Sequence, residues 1–539
     1  MDNRMWTERC HKYTFIDGES GFQVNFAGMN FEDSDFKKLP RSFQKVQEEM
    51  RKIELGEIKN PDEHRKVTHF TDRSVYTGTA VYSEVEEFAA GIRSGKITGS
   101  TGKPFESAVI NGIGGSALGP QLLQMAINGP YWNELSREKR GGNLKIYFLD
   151  NTDTAGLADV LAVCDLETTL VVSVSKSGGT QETQNNLVAC QAQYAAKGLD
   201  FSKHAAAVTM RESKLDTMAR SAKWLKVFEM AESIGGRTSE TSIVGHLPAA
   251  LAGIDFESLL RGACHMDRLT LTDKPYPSHN PAYMLSAMWY LAGNGKGDRN
   301  MVIVPYSDRL ILLSRYLQQL VMESLGKEKD LDKKVVHQGL NVFGNKGGTD
   351  AHAFIQQLND GRDDFFVTFI EVLEDSMAAP ISDGVAMGDY LHGFMTGLAN
   401  ALRSKKRQVI EMKVTKVSPF NVGMLIALYE RAVAAYAELI HINAFHQPGV
   451  QAYKLASKGI IQLQLDLEEK LPALAPFTGT AAEFSAKLGI AEEYELEGIL
   501  AKLAANGPRR SLPFNLRRAW NKDRGWEYTV SAKNTTTVP

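Results

Sequence analysis

Cysteine is scarce: four residues in 539 (Cys10, Cys164, Cys190 and Cys264), far apart and without a C-x-x-C pair. That excludes a disulfide framework and predicts reduced, mostly buried thiols. Long hydrophobic runs are missing too. The most apolar long segment, Gly423 to Ile440, carries Glu430, Arg431 and Glu438, and is too short and too charged to span a bilayer. The opening stretch Met1 to Cys10 has no apolar core, so no secretory signal and a cytoplasmic location are expected. Neither charge sign prevails: 61 basic residues face 64 acidic ones, a formal net charge of −3. This argues against nucleic acid as a partner and leaves room only for a local basic patch over a small anion. The twelve histidines form no H-E-x-x-H and no two-His-plus-carboxylate spacing, so metal catalysis is unsupported. A Walker A loop is also absent.

What is present is ample apolar content, 43% of residues, which excludes global disorder. The first hundred residues are charged and irregular, with a helical piece at 42–55, and read as an arm or cover. Short β-rich runs then alternate with amphipathic helices: 107–111, 144–150, 170–175 and 205–210, the pattern of a parallel sheet flanked by helices. A second series holds a helix at 281–292, a strand at 300–306, a helix from about 308 to 325 and a strand at 364–372. Lys274-Pro-Tyr-Pro-Ser-His-Asn-Pro281, with three prolines in eight residues, marks a boundary between the halves. After about residue 465 the chain reads as helical, then polar, ending in Thr-Thr-Thr-Val-Pro. The expected division is an arm at 1–100, α/β units at 101–274 and 275–465, and an extension at 466–539.

Two glycine/hydroxyl turns follow buried strands: Val109-Ile-Asn-Gly-Ile-Gly-Gly-Ser-Ala-Leu-Gly119 and Val174-Ser-Lys-Ser-Gly-Gly-Thr-Gln-Glu-Thr183. The second stands at a strand-to-helix junction. Free N–H groups and the positive end of the helix dipole favour an anion there, glycines admit close approach, Ser175, Ser177 and Thr180 add hydroxyls, and Lys176 adds charge. A phosphate monoester fits this inventory, and an ordinary capped loop is the bland alternative. Two such turns at successive strand ends of one sheet strengthen the ligand reading. Gly112–Ala117 also matches G-x-G-x-x-A, the dinucleotide fingerprint. Its ribose-binding acid is expected ~20 residues on, and Asp150 lies considerably farther.

Glu323 closes a largely apolar helix ending at Gly326 and shares a face with Gln319. A carboxylate near a helix C-terminus meets the negative end of the dipole, which favours basicity. His352 sits in the glycine-rich turn Gly347–Phe354. Arg237 follows two glycines that would expose its guanidinium, and Lys454 lies in Phe445–Lys454. Each alone has a structural alternative: a solvated Glu, a structural His, a surface Arg, a helix-face Lys.

Taken in order, six segments resemble the glucose-6-phosphate isomerase family, built from two sugar-isomerase (SIS) domains. They are Ile113–Ser116, Ser175–Thr183, Gly235–Arg237, Met322–Lys327, Thr349–Phe354 and Phe445–Lys454, spanning roughly residues 105–460. The resemblance implies an α/β fold of two SIS-type, flavodoxin-like αβα sandwiches with parallel sheets and helical terminal extensions. It implies an aldose–ketose isomerase of glycolysis and gluconeogenesis that interconverts glucose 6-phosphate and fructose 6-phosphate through a cis-enediol. Glu323 would be the base moving a proton between C1 and C2. His352, with Lys454, would open the ring, and Arg237 would stabilise the enediolate. Gly115, Ser116, Gln319 and Gln447 would contact the sugar, and Ser175, Lys176, Ser177, Gly178, Gly179 and Thr180 the phosphate. The resemblance further implies a homodimer in which His352 reaches the neighbouring site. The chemistry agrees with this cast: one base, one acid and one cation suffice, with no redox cofactor or metal. Thr238 replaces the aromatic common after Gly-Gly-Arg, and His446 and Gln451 replace the two acids of Phe-Asp-Gln-x-Gly-Val-Glu. These departures bear on tuning near Arg237 and Lys454 and on tolerance of mannose 6-phosphate. The alternative from another class is a non-catalytic SIS sensor, which needs the hydroxyl bend but not the four reacting side chains.

Overall fold

The computed structural model describes residues 3–271 and 277–533 and divides the chain into two compact units, Met1–His446 and Gln447–Pro539. The first unit holds the parallel sheet expected after residue 100. Strands Ser107–Asn111, Thr169–Val174 and Ala205–Thr209 are buried along their whole length. Continuous apolar runs of this kind are what a parallel sheet covered on both faces requires. The spatial order is Lys145–Leu149, Ser107–Asn111, Thr169–Val174, Ala205–Thr209, Lys226–Glu229, all parallel. Strand order therefore reverses between Ser107–Asn111 and Thr169–Val174. In a doubly wound sheet, ligands collect in the crevice at the carboxyl ends of those two strands.

A second sheet is built on Asn300–Tyr306, Phe365–Val372 and Gln408–Val414, parallel in that order, with Val342–Phe343 beside Asn300–Tyr306. Its other edge is closed by the amino-terminal segment. Gln23–Asn25 pairs antiparallel with Gln408–Val414 (Met412 opposite Val24), and Thr14–Ile16 pairs in turn with Gln23–Asn25. Nor is this the only way residues before 100 enter the fold. Helix Phe43–Glu54, capped by Ser42, buries Val46, Met50 and Ile53 on one face, and the main apolar cluster runs from Tyr13 to Ala444 across both sheets.

The arm expected at 1–100 is thus a structural part of the first unit. The boundary expected at 465 moves to 446/447, because the long helix Pro448–Leu474 supplies Leu467 and Leu471 to the core of the second unit. Part of the Lys274–Pro281 junction lies outside the described residues, as do residues 534–539 with the terminal Thr-Thr-Thr-Val-Pro. Pro281 opens helix Pro281–Ala292, with the Asn280 side chain accepting from the Tyr283 N–H. The second unit is not simply helical then polar. It contains an antiparallel sheet in the order Phe477–Gly479, Gly525–Ala532, Phe514–Asn521.

The centre of the first unit is helix Pro419–Ile440, packed on Phe256–Leu269 and Pro281–Ala292 and buried over nearly its whole length. Among the described residues, no helix is long and apolar enough to cross a membrane. The charges in this helix are matched by residues from the amino-terminal segment. Arg73, with no side-chain exposure, donates to both oxygens of Asp267 (2.7 and 2.8 Å) and to Glu430 (2.6 Å). Arg431 donates to Asp267 at 2.8 Å and to Glu54, and Lys59 pairs with Glu438 at 2.6 Å. The four cysteines are free, with Cys164 and Cys190 buried, and burial pushes both thiols up to about 11.

Removing one member of a buried ion network strands its partners in a medium that cannot solvate them. Arg73→Met should therefore cost about 3–5 kcal/mol of stability, read as the urea midpoint at constant m-value. A loss below about 1 kcal/mol would mean that the network does not tie the amino-terminal segment to the central helix.

Candidate active site

Both glycine/hydroxyl turns lie where strand order reverses. Ser107–Asn111 leads into the 3₁₀ turn Gly114–Ser116, and Thr169–Val174 leads into the Ser175–Thr180 bend before helix Gln181–Ala196. The bend is held by its own groups: the Ser175 hydroxyl donates to Thr180 Oγ1 at 3.1 Å, and Ser177 Oγ accepts from the Gly179 N–H at 3.2 Å. Gly178 has φ +65°, and a Cβ there would stand 2.4 Å from the Leu215 backbone nitrogen, so the turn requires glycine. Lys176 does not present its ammonium to the bend. It donates to the carbonyls of Glu232 (2.5 Å) and Ile234 (2.8 Å), and burial, assisted by Arg65, lowers its pKa to about 8. The lysine thus pins the bend to the loop that leads into Gly235-Gly236-Arg237.

That loop buries its arginine, contrary to the exposure expected from two flanking glycines. Arg237 is 6% exposed. One terminal nitrogen donates to Ser324 Oγ (3.3 Å) and the Ala444 carbonyl (3.1 Å), and the other to the His446 carbonyl (3.3 Å). The same second nitrogen stands 3.6 Å from Glu323 Oε1. Burial works against the charge of Arg237, and the Glu323 carboxylate opposes that loss. Glycine packing brings the first turn alongside: a Cβ on Gly115 would lie 1.9 Å from the Gly236 carbonyl oxygen, and one on Gly114 would lie 2.9 Å from Gln319 Nε2. Gly115, Arg237, Gln319 and Glu323 therefore converge from three segments that together span more than two hundred residues of sequence.

Glu323 is carried on irregular helix. Where one helix was expected from 308 to 325, the chain forms a 3₁₀ turn (Asp308–Leu310), an α-turn (Leu313–Leu317) and a π-turn (Gln318–Glu323). Such π-turns recur at functional positions because they re-aim side chains. The carboxylate keeps 22% exposure, in reach of a ligand beside a buried cation.

Ser116 ends the Gly114–Ser116 turn. His352 ends a 3₁₀ turn (Thr349–His352) and is exposed, its imidazole making no hydrogen bond to another described residue. Gln447 and Lys454 lie at the start of helix Pro448–Leu474, in the second unit. Thr238 closes its turn through a hydroxyl bond to the Gly235 carbonyl at 3.3 Å. Asp150, the candidate ribose acid, accepts from Gln121 at 2.8 Å.

Sequence reading missed the groups that hold Arg237 in place. Arg65 donates to the Ser233 carbonyl (3.3 Å) and the Phe445 carbonyl (2.9 Å), and Asn60 also donates to Phe445 (3.0 Å). Asn443 donates to Asp62 at 2.7 Å, and the His446 imidazole lies 3.4 Å from Asp62. Composition marked the stretch holding Asn60, Asp62 and Arg65 only as charged and irregular, and no local pattern there signals which carbonyls these side chains meet.

A doubly wound sheet with these two turns at its switch point, paired with a second parallel sheet, is the architecture of SIS-type sugar isomerases, and that is the class of this protein. The family model described as phosphoglucose isomerase matches residues 32–387. The glucose-6-phosphate isomerase of Geobacter sulfurreducens is 44% identical over 509 residues, 92% of this chain and 93% of its own. That of Citrifermentans bemidjiense is 43% identical over 549 residues, covering 99% and 100%. A solved glucose-6-phosphate isomerase from Chlamydia trachomatis matches with a TM-score of 0.74 at 27% identity, covering 85% of this chain and 91% of that one. The chain belongs to the phosphoglucose isomerase family.

The contact between the two glycine turns is directly testable. Gly115→Ala should force them apart and lower isomerase kcat/KM by ~10²-fold, the scale of a misplacement of about an ångström, while far-UV circular dichroism stays native. Activity within about twofold of wild type would show that Arg237 needs no support from the first turn.

Proposed function

We propose that this protein interconverts D-glucose 6-phosphate and D-fructose 6-phosphate in the cytoplasm, by proton transfer through a cis-enediol. The observation that carries the proposal is the buried Arg237 guanidinium standing 3.6 Å from the Glu323 carboxylate, on a turn tied through Lys176 to the hydroxyl bend.

The phosphate binds at Ser175–Thr180. Ser175, Ser177 and Thr180 supply hydroxyls, Gly178 and Gly179 supply backbone N–H groups, and the start of helix Gln181–Ala196 supplies dipole. Lys176 serves by anchoring the bend. The phosphate is remote from the reacting carbons, so its binding energy goes into orientation. Gly115, Ser116 and Gln319 line the path of the sugar, and Gln447 is a further residue assigned to contact it.

His352, with Lys454, moves the proton that opens the ring. Glu323 then takes the proton from C2 of the open aldose, and the electron pair left behind forms the C1–C2 double bond as charge shifts onto the carbonyl oxygen. Arg237 faces that negative charge. A cation already held by hydrogen bonds to Ser324, Ala444 and His446 needs no reorganisation when the charge develops, the condition under which electrostatic stabilisation is largest. A proton passes from O2 to O1, and return of the Glu323 proton to C1 as the C2 carbonyl forms gives the ketose; the reverse sequence gives the aldose. His352 acts in the neighbouring subunit of a homodimer; its exposure within its own chain supports that reading. The sensor alternative requires only the bend and leaves the Arg237–Glu323 pair without a role.

Glu323→Gln should lower turnover by ~10²–10⁴-fold, the usual worth of a positioned base, while phosphosugar binding persists. Near-normal turnover in a coupled assay would remove Glu323 from its role. Ser175→Ala combined with Thr180→Ala should act chiefly on KM for fructose 6-phosphate, and an unchanged KM would place the phosphate elsewhere.

A further inference from the structure

Lys327 is a buried lysine that the scheme above leaves unused. It is 4% exposed, whereas an unpaired lysine side chain normally reaches solvent. The helix carrying Glu323 stops at Gly326, and Lys327 turns away into the short strand Lys327–Lys329, where it stands opposite Gln338. Had the helix continued, the Lys327 backbone N–H would have met the Glu323 carbonyl. Helix ends leave such carbonyls without a partner. Here the Lys327 side chain takes the place of its own N–H: its ammonium donates to the Glu323 carbonyl oxygen at 2.7 Å.

The charged and titratable groups facing this ammonium are Arg237, the Glu323 carboxylate and the His446 imidazole. Burial lowers the Lys327 pKa to about 7, with Arg237 acting the same way and Glu323 against it. The imidazole of His446 is held below its ordinary value by burial and then by Lys327 itself.

We propose that Lys327 is a positioning residue for Glu323, fixing the peptide that carries the reacting carboxylate and placing a second positive charge behind it. The proposal rests on Glu323 being the base. A hydrogen bond from an ammonium is roughly twice as strong as one from a neutral amine. Loss of the Lys327 proton therefore loosens the hold on Glu323 and removes positive charge from beside the enediolate. kcat is therefore highest with Lys327 charged and falls as pH rises and the ammonium is lost.

The test is kcat and KM of the full-length enzyme from about pH 6 to about pH 9, the range in which such a group titrates. Lys327→Met should lower kcat by ~10–10²-fold, change KM by less than about twofold, and abolish the alkaline fall. Lys327→Arg, which keeps a permanent charge, should recover most of the lost kcat and also lack the fall. A purely structural lysine would affect thermal stability and leave the shape of the pH profile alone. Wild-type kcat and profile in Lys327→Met would overturn the proposal. Should that variant fail to fold, an alkaline fall in Lys327→Arg coinciding with that of wild type would overturn it equally. Glu323→Gln, measured alongside, separates the two levels. If it stays active, the base assignment and this proposal fall together; if it is inactive and the Lys327 variants behave as wild type, only this proposal falls.

Discussion

A buried guanidinium must have its donors satisfied, and Arg237 meets that demand by joining distant parts of the chain. It donates hydrogen bonds to Ser324 and to the carbonyls of Ala444 and His446. Satisfying them holds the turn after Gly235, the end of the irregular helix carrying Glu323, and the segment after the central helix around one cation. The cost of burying that charge without partners is several kcal/mol, so the partners and the cation hold one another in place. The geometry of the site is therefore a condition of the fold rather than an addition to it.

The rest of the first unit supports this junction. The parallel sheet places two turns side by side where its strand order reverses, and close glycine packing brings the first of them against Gly236. Lys176 ties the second to the loop leading into Arg237. From the opposite side, the amino-terminal segment contributes Arg65 and Asn60, which fasten the carbonyls of Ser233 and Phe445. Deeper in the core, Arg73 and Arg431 bind the same segment to Asp267 and to the central helix. A stretch that looks like a cover by composition is a buttress by contact.

Different parts of this organisation were legible in the sequence to different degrees. Strands Ser107–Asn111 and Asn300–Tyr306 and helix Pro281–Ala292 appear where local pattern put them, because each is decided locally: a short apolar run buried on both faces, or a proline-started helix capped by Asn280. Edge and amphipathic strands were missed. Gln408–Val414 and the pair Phe514–Asn521 and Gly525–Ala532 alternate polar with apolar residues, and only pairing partners identify them. The break of helix 308–325 into three helix types leaves no trace in periodicity. Arg237 shows the limit most clearly. Its glycines were visible, but the carbonyls that bury it lie more than two hundred residues away. The hydroxyl bend was readable because its donors are contiguous, whereas the direction of the Lys176 ammonium depended on a loop some sixty residues on.

A crystal structure of the enzyme with a phosphorylated five-carbon aldonic acid, whose carboxylate mimics the enediolate, would test the Arg237–Glu323 junction outright. The phosphate should lie on the hydroxyls and N–H groups of Ser175–Thr180, with the acid end beside Glu323 and its oxygens facing the Arg237 guanidinium. A phosphate bound away from that bend, or an acid end remote from the Arg237–Glu323 pair, would contradict it.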